Sequence, residues 1–227
     1  MRNHFKKYIF SVVTAAVLAG TSAAQADTTV DFFRAVRADN PSGVRKLIEQ
    51  GFNPNTRDEH KQTGLILAMR EPSPRVIDVL IASPKVDVSE VNGSDESPLM
   101  MAALKGQKDV VDKLLARDAA VNKTGWAPLH YAATGGHVEI MKILLEKSAF
   151  IDAQSPNGTT PLMMAAMYGS AEAVKLLLDE GADTAMKNQQ NMTAADFAER
   201  GKRPDAIALL ANAPKGGAKP GTMGGSK

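Results

Sequence analysis

The sequence predicts an all-α solenoid, a row of stacked helix-turn-helix units joined by β-hairpin-like loops. Three observations predict it. A short motif returns at spacings of 30 and 33 residues: Ser97-Pro98-Leu99-Met100-Met101-Ala102-Ala103, Ala127-Pro128-Leu129-His130-Tyr131-Ala132-Ala133 and Thr160-Pro161-Leu162-Met163-Met164-Ala165-Ala166. Each copy opens on residues that start a helix and runs toward glycine, which stops one. A second amphipathic stretch follows, as in Val138 to Leu145. It is too short to cover its own apolar face, so cohesion must come from stacking on neighbours.

From the N-terminus, residues 1–26 read as a cleavable signal peptide and not as part of the fold. Arg2, Lys6 and Lys7 form a positive leader, Tyr8 to Ala19 is an apolar run of 12 residues broken by Ser11 and Thr14, and Ala24-Gln25-Ala26 supplies a small-residue cleavage site. The run is shorter than the roughly 20 residues that span a bilayer. Leu18-Ala19-Gly20-Thr21 has the form of a bacterial lipoprotein signal with Thr21 in place of the lipidated cysteine, so no lipid anchor is expected. The expected product begins at Asp27 and is soluble in the periplasm, without membrane insertion after cleavage. Secretion further out is the second address.

Composition narrows the function classes. A count of 0 Cys excludes disulfide scaffolding and thiolate metal or redox sites. The leader removes three of the 27 basic residues and none of the 25 acids, so the exported chain is close to neutral. Its body to Ala213 is mildly acidic and lacks the basic stripe of a phosphate-backbone binder, so no nucleic acid is expected.

Six units divide residues 27–213: an N-terminal cap at 31–57, then 58–91, 92–121, 122–153, 154–186, and a C-terminal cap at 187–213. The first places Asp31-Phe32-Phe33 near the start of its first helix, and Thr63-Gly64-Leu65-Ile66 opens the second. Pro72, Pro74 and Pro84 predict frayed or rearranged helix ends there, in the least regular repeat. In the third and fifth units, Ser97-Pro98 and Thr160-Pro161 combine a capping hydroxyl with a proline at the first helical position, where no hydrogen bond is lost. The fourth unit follows three residues early, with Val121-Asn122 running almost directly into Gly125-Trp126, and predicts a truncated hairpin. Gly135-Gly136 ends its first helix after about two turns. In the sixth, Thr193-Ala194-Ala195-Asp196 is a weaker copy and Pro204 starts the second helix. Residues 214–227 hold five Gly and two Pro and predict a disordered tail.

The recurring motif, with Gly136-His137-Val138-Glu139-Ile140-Met141-Lys142-Ile143-Leu144-Leu145 and Ala173 to Asp183 after two of its copies, resembles the ankyrin repeat over about residues 31–213. That resemblance implies a binding face made of hairpin tips and of the two residues before the glycine closing each first helix. Carried over by position, the second unit offers Gln62, Arg70 and Glu71, the third Glu96, Leu104 and Lys105, and the fourth Thr124, Trp126 and Thr134. The fifth offers Asn157, Thr159, Met167 and Tyr168, and the sixth Gln190, Met192 and Arg200. The second unit lacks the closing glycine. An apolar and aromatic centre with a charged rim has the build of a protein-binding surface. Trp126 reads equally as an interface anchor or as packing on the next hairpin, while Met100, Met101, Met163 and Met164 read as packing.

Catalytic chemistry finds no constellation in the sequence. The exported chain has only His60, His130 and His137, and no nucleophile elbow or glycine-rich phosphate loop. The resemblance implies that His130 and His137 are structural links, hydrogen-bonded to Thr or backbone groups. Asp58-Glu59, Asp95-Glu96 and Asp179-Glu180 read as solvated turns and helix ends, because sequence neighbours do not face one another across a cleft. The expectation is a monomeric, non-catalytic scaffold without cofactor or metal that binds another protein. One form is an accessory that protects, assembles or inhibits a periplasmic enzyme, another a secreted effector that binds a host protein, and an enzyme is the remote third.

Overall fold

The structure is a computed structural model that describes residues 27–214. The expected signal peptide, and all of the expected tail but Pro214, lie outside the described residues. Packing divides the chain into two compact units between Asp87 and Val88.

The first unit holds helix α1 over 27–37, α2 Pro41–Glu49, α3 Gly64–Arg70 and α4 Pro74–Ala82. Helix α1 is already formed at residue 27, so Asp31 lies a turn inside it and not at its start. Its core is aromatic: the Phe32 and Phe52 rings lie 4.5 Å apart, and Phe33 meets Phe32 edge-on at 5.3 Å. Gly64 is required there, because a Cβ at that position would sit 2.5 Å from the Phe32 ring. The helix ends of this repeat are ordered and not frayed. Pro74 occupies the first position of α4, the buried Ser73 before it donates its hydroxyl to the Val36 carbonyl at 2.9 Å, and Pro84 falls just past the end. Proline at those places interrupts no helical hydrogen bond.

The second unit holds α5 Pro98–Leu104, α6 Lys108–Leu115, α7 Pro128–Gly135, α8 Val138–Glu146, α9 Pro161–Tyr168, α10 Ala171–Asp179, α11 Ala194–Arg200 and α12 Pro204–Ala211. Helices α5, α7, α9 and α11 pack side by side as one layer, and α6, α8, α10 and α12 as the other. Paired alanines make the first layer close: Ala102, Ala103, Ala132, Ala133, Ala165 and Ala166 are all buried. At Gly169 a Cβ would lie 2.4 Å from the Ala133 carbonyl, so that crossing admits only glycine. The second layer turns Val111, Leu114, Ile140, Met141, Leu144, Val174 and Leu177 inward. The described residues contain no strand and a single isolated bridge, Arg57 to Thr63. With the recurring helix pairs this is the all-α repeat solenoid that the motif spacing predicts.

The loops between repeats are hairpin-like turns, each closed by a backbone bond from its first residue, Asp58 N–H to Gln62 O, Asn92 to Glu96, Ser155 to Thr159 and Asn188 to Met192, at 2.9–3.0 Å, and by a second bond back to that residue's carbonyl, from Lys61, Asp95, Gly158 and Asn191. Side chains lock them, as where Asn188 Oδ1 accepts the N–H groups of Gln190 and Met192. The 122–126 connection has no such closing bond among the described residues, which is the truncation its shortened spacing predicts. Asn122 instead ties the start of its repeat to the loop after α8, accepting from Phe150 N–H at 2.9 Å and donating to the Ser148 carbonyl at 2.8 Å. Ser89 and Asp152 do the like, accepting from Ala120 N–H and Asp183 N–H at 3.0 Å. This side-chain ladder from repeat to repeat was not anticipated from the sequence.

Candidate functional site

The first helices of the second unit open on a shared pattern, which the fourth repeat varies. Ser97, Thr160 and Thr193 cap α5, α9 and α11 by accepting the N–H three residues on. The side chain at that third position reaches back to the cap's own N–H: Met100 and Met163 through sulfur, Asp196 through Oδ2 and His130 through Nδ1. In the fourth repeat the cap is Ala127, which has no hydroxyl, so the imidazole supplies the only side-chain acceptor. The next position along the motif, occupied by Tyr131 and Met164 in the fourth and fifth repeats, lines a pocket with Trp126.

His130 is 0 % exposed and bound at both nitrogens, Nδ1 accepting from Ala127 N–H at 3.2 Å and Nε2 facing the Thr159 carbonyl at 3.0 Å. The accepting Nδ1 places the proton on Nε2, which donates. Burial holds its pKa below the ordinary histidine value, against the opposing effect of the backbone hydrogen bonds, so the ring is neutral. His137 links the third and fourth repeats, its Nε2 lying 3.0 Å from the Leu104 carbonyl. Gly106, at φ +68°, leaves room for that ring, which a Cβ there would meet at 2.5 Å. Both histidines are therefore structural links, as the resemblance implies.

Four of the predicted contact residues come together in the second unit. Leu104, Trp126 and Thr134 line an open pocket of about 200 Å³, with His130, Tyr131 and Met164. Trp126 packs edge-to-face on His130 at 5.2 Å and on Tyr131 at 6.4 Å, so packing and surface roles coincide at this residue. Glu96 stands at the edge: its Oε2 accepts from Asn92 Nδ2 at 2.8 Å and its Oε1 from the Tyr131 hydroxyl at 3.4 Å. Burial, and then the charges of Glu96 and Asp95, push the Tyr131 pKa up to about 12. Thr134 turns its hydroxyl to the His130 carbonyl at 2.7 Å and offers the pocket its methyl group.

The predicted residues differ in exposure. Leu104 and Tyr168 are 41 % and 54 % exposed, Met167 and Met192 are half-buried, and Lys105, Thr124, Asn157, Gln190 and Arg200 are exposed. The Arg200 guanidinium rests on the Met192 sulfur at 3.8 Å. Arg70 and Glu71 are exposed at the C-terminal end of α3 in the first unit. Thr159 and Gln62 need correction, being 2 % and 9 % exposed: Thr159 anchors the hairpin and receives His130, so neither side chain offers a contact surface. The packing reading of the methionines holds for Met100 and Met163, whereas Met101 and Met164 are half-buried on the helix face. Tyr131 and Met164 are pocket residues that the sequence reading did not select. Their signal was the motif register itself, one place after the capping side chain. Nor is Asp58 a solvated turn residue: its side chain is 5 % exposed and holds the N–H groups of His60 and Gln62, while Glu59 is 83 % exposed.

No group of three or more His, Cys, Asp or Glu placed to hold a metal occurs among the described residues, and no described helix is long and apolar enough to cross a membrane.

Residues 32–122, 65–155 and 150–222 each match a family model described as ankyrin repeats (3 copies). The chain is similar to the B-cell lymphoma 3 protein homolog of Mus musculus, 30% identical over 187 residues that make up 79% of this chain and 42% of that protein. It is also 30% identical over 109 residues to the ankyrin repeat and SAM domain-containing protein 6 of Rattus norvegicus, covering 46% of this chain and 12% of the other. A third match, 32% identical over 100 residues, is glycerophosphocholine phosphodiesterase GDE1 of Candida albicans, at 41% of this chain and 9% of the enzyme. The chain spans less than half the length of these curated relatives.

Proposed function

Because the chain belongs to the ankyrin-repeat family, whose repeats mediate protein–protein interaction, we propose that it is a non-catalytic scaffold, exported to the periplasm, that holds a partner protein against the hairpin side of its first-helix layer. The observation that carries this reading is the apolar and aromatic cluster of the second unit, where Leu104 is 41 % exposed and Trp126, Tyr131 and Met164 are half-buried beside it, with Tyr168 54 % exposed at the end of α9. Surface of that composition, with the Glu96 carboxylate at its edge, is the build of a binding hot spot. Helices tied by His130, His137 and the repeat-to-repeat ladder preform this surface, so association orders few side chains.

The family relation alone does not separate scaffold from enzyme, since one relative is named as a phosphodiesterase. The scaffold is favoured by the state of the titratable groups: His130 is neutral with both nitrogens engaged, and His137 is held by a backbone carbonyl. Neither is poised against a nucleophile. The periplasmic address rests on Arg2, Lys6, Lys7, the apolar run after them and Ala24-Gln25-Ala26. In this reading the partner is a resident enzyme that the scaffold protects, assembles or inhibits.

The test is affinity capture from a periplasmic extract with the mature chain beside a Trp126→Ala, Tyr168→Ala version. Proteins retained by the first bait and lost from the second support the surface, and identical sets from both overturn it. Native protein in the osmotic-shock fraction supports the periplasmic form, while its presence only in culture supernatant moves the reading to a secreted effector.

A further inference from the structure

The pocket between the third, fourth and fifth repeats has a mixed chemistry that a purely apolar anchor does not call for. Trp126 and Tyr131 form two of its walls, their rings nearly perpendicular at 81°. Leu104 and Met164 supply an apolar floor. At the Tyr131 end stands the Glu96 carboxylate, whose contact with the Tyr131 hydroxyl is long at 3.4 Å and leaves Oε1 with acceptor capacity. Asp95 follows at the hairpin tip, paired with Lys123, which also donates to the Thr124 carbonyl at 3.0 Å.

From this arrangement, and resting on the protein-binding reading above, we propose that the pocket receives an arginine side chain of the partner, its methylenes on Leu104 and Met164, its guanidinium against the Trp126 and Tyr131 rings, and its charge toward Glu96. Size permits one side chain: about 200 Å³ is available, and an apolar cavity of roughly 150 Å³ accepts benzene. Arginine fits the donor and acceptor pattern, since its planar head stacks on aromatic faces while presenting N–H groups edgewise to a carboxylate. The Glu96 carboxylate beside Tyr131 carries the complementary sign, and Asp95 beyond it is paired with Lys123. Burial raises the Tyr131 hydroxyl's pKa first and the Glu96 and Asp95 charges raise it further, which marks a negative environment at that edge. The imidazole in the back wall is held neutral by burial and adds no opposing charge.

Trp126 is the single tryptophan of the chain, so its emission reports directly on the pocket. The probes are acetylated, amidated Gly-Arg-Gly, its citrulline counterpart, which has the same shape without the charge, and Gly-Glu-Gly as a control for non-specific quenching. The arginine peptide is expected to shift Trp126 emission saturably in the millimolar range, with the citrulline peptide about fivefold weaker, as a cation–π contribution of about 1 kcal/mol requires. Glu96→Gln is expected to weaken arginine binding and narrow its advantage over citrulline, the ring contribution remaining, without changing the thermal melt. Equal binding of arginine and citrulline, or no saturable response to arginine, overturns the proposal. Peptide capture and partner capture fail separately: a silent arginine peptide with a partner still lost from the Trp126→Ala, Tyr168→Ala bait removes this assignment and leaves the binding surface standing.

Discussion

Replacing His130 with alanine withdraws a buried side chain that is bonded in its own repeat and in the next. The ring holds the Ala127 N–H at 3.2 Å and donates to the Thr159 carbonyl at 3.0 Å, and both partners are nearly inaccessible, at 1 % and 2 % exposure. Each buried group left without a partner costs about 1–3 kcal/mol, so the variant is expected to lose about 2–5 kcal/mol at pH 7, a large part of the roughly 5–15 kcal/mol typical of a folded domain. Urea unfolding followed by far-ultraviolet circular dichroism measures it. A pH dependence accompanies the loss. The folded ring has its pKa lowered from 6.5 by burial, so above pH 6.5 both folded and unfolded chains carry it neutral and no linkage arises. Below that value the unfolded chain binds a proton that the folded chain resists, and wild-type stability falls by at most about 1.4 kcal/mol per pH unit. The alanine variant lacks this slope, so the gap between the two proteins must narrow from pH 7 to pH 5. A gap under about 0.5 kcal/mol at pH 7, or one equally wide at both pH values, refutes the reasoning.

Three further outcomes are expected. Gly169→Ala places a Cβ 2.4 Å from the Ala133 carbonyl and 2.9 Å from Ala165 Cα, both on the backbone, so α7 and α9 must separate; a loss of about 2 kcal/mol or more is expected in denaturant unfolding, in the range of overpacked cores. Ala127→Ser gives the fourth repeat the hydroxyl cap that Ser97 and Thr160 supply in its neighbours, and a gain of about 0.5–1 kcal/mol, read as a higher melting temperature, is expected. The Asp196 carboxylate takes hydrogen bonds from the Thr193 N–H and then from its hydroxyl, which lower its pKa below 3.8. Its stabilisation of α11 is complete above that value and is lost as pH falls through the folded pKa. NMR titration should place it below 3.8, and Thr193→Ala should move it part of the way back.

The sequence by itself determined the architecture. Its motif repeats at nearly constant spacing, and each position has a local physical meaning: Thr160 caps, Pro161 starts, Gly136 stops with φ +67°. It even marked the truncated hairpin at 122–126, because a deletion within a strict period is visible as a number. Those features depend on residues close along the chain, where backbone chemistry is nearly independent of what packs above it. What only the tertiary structure decided was which side chains meet. Thr159 and Gln62 occupy hairpin positions that resemble contact sites, yet one lies under His130 and the other is buried. Tyr131 and Met164 look like core residues in the motif, yet they line the pocket with Trp126 and Leu104. The outcomes at Thr159 and at the pocket are set by neighbours about 30 residues away, in an adjacent helix pair. Burial in a stacked array is a property of the interface between repeats, and no single repeat encodes it.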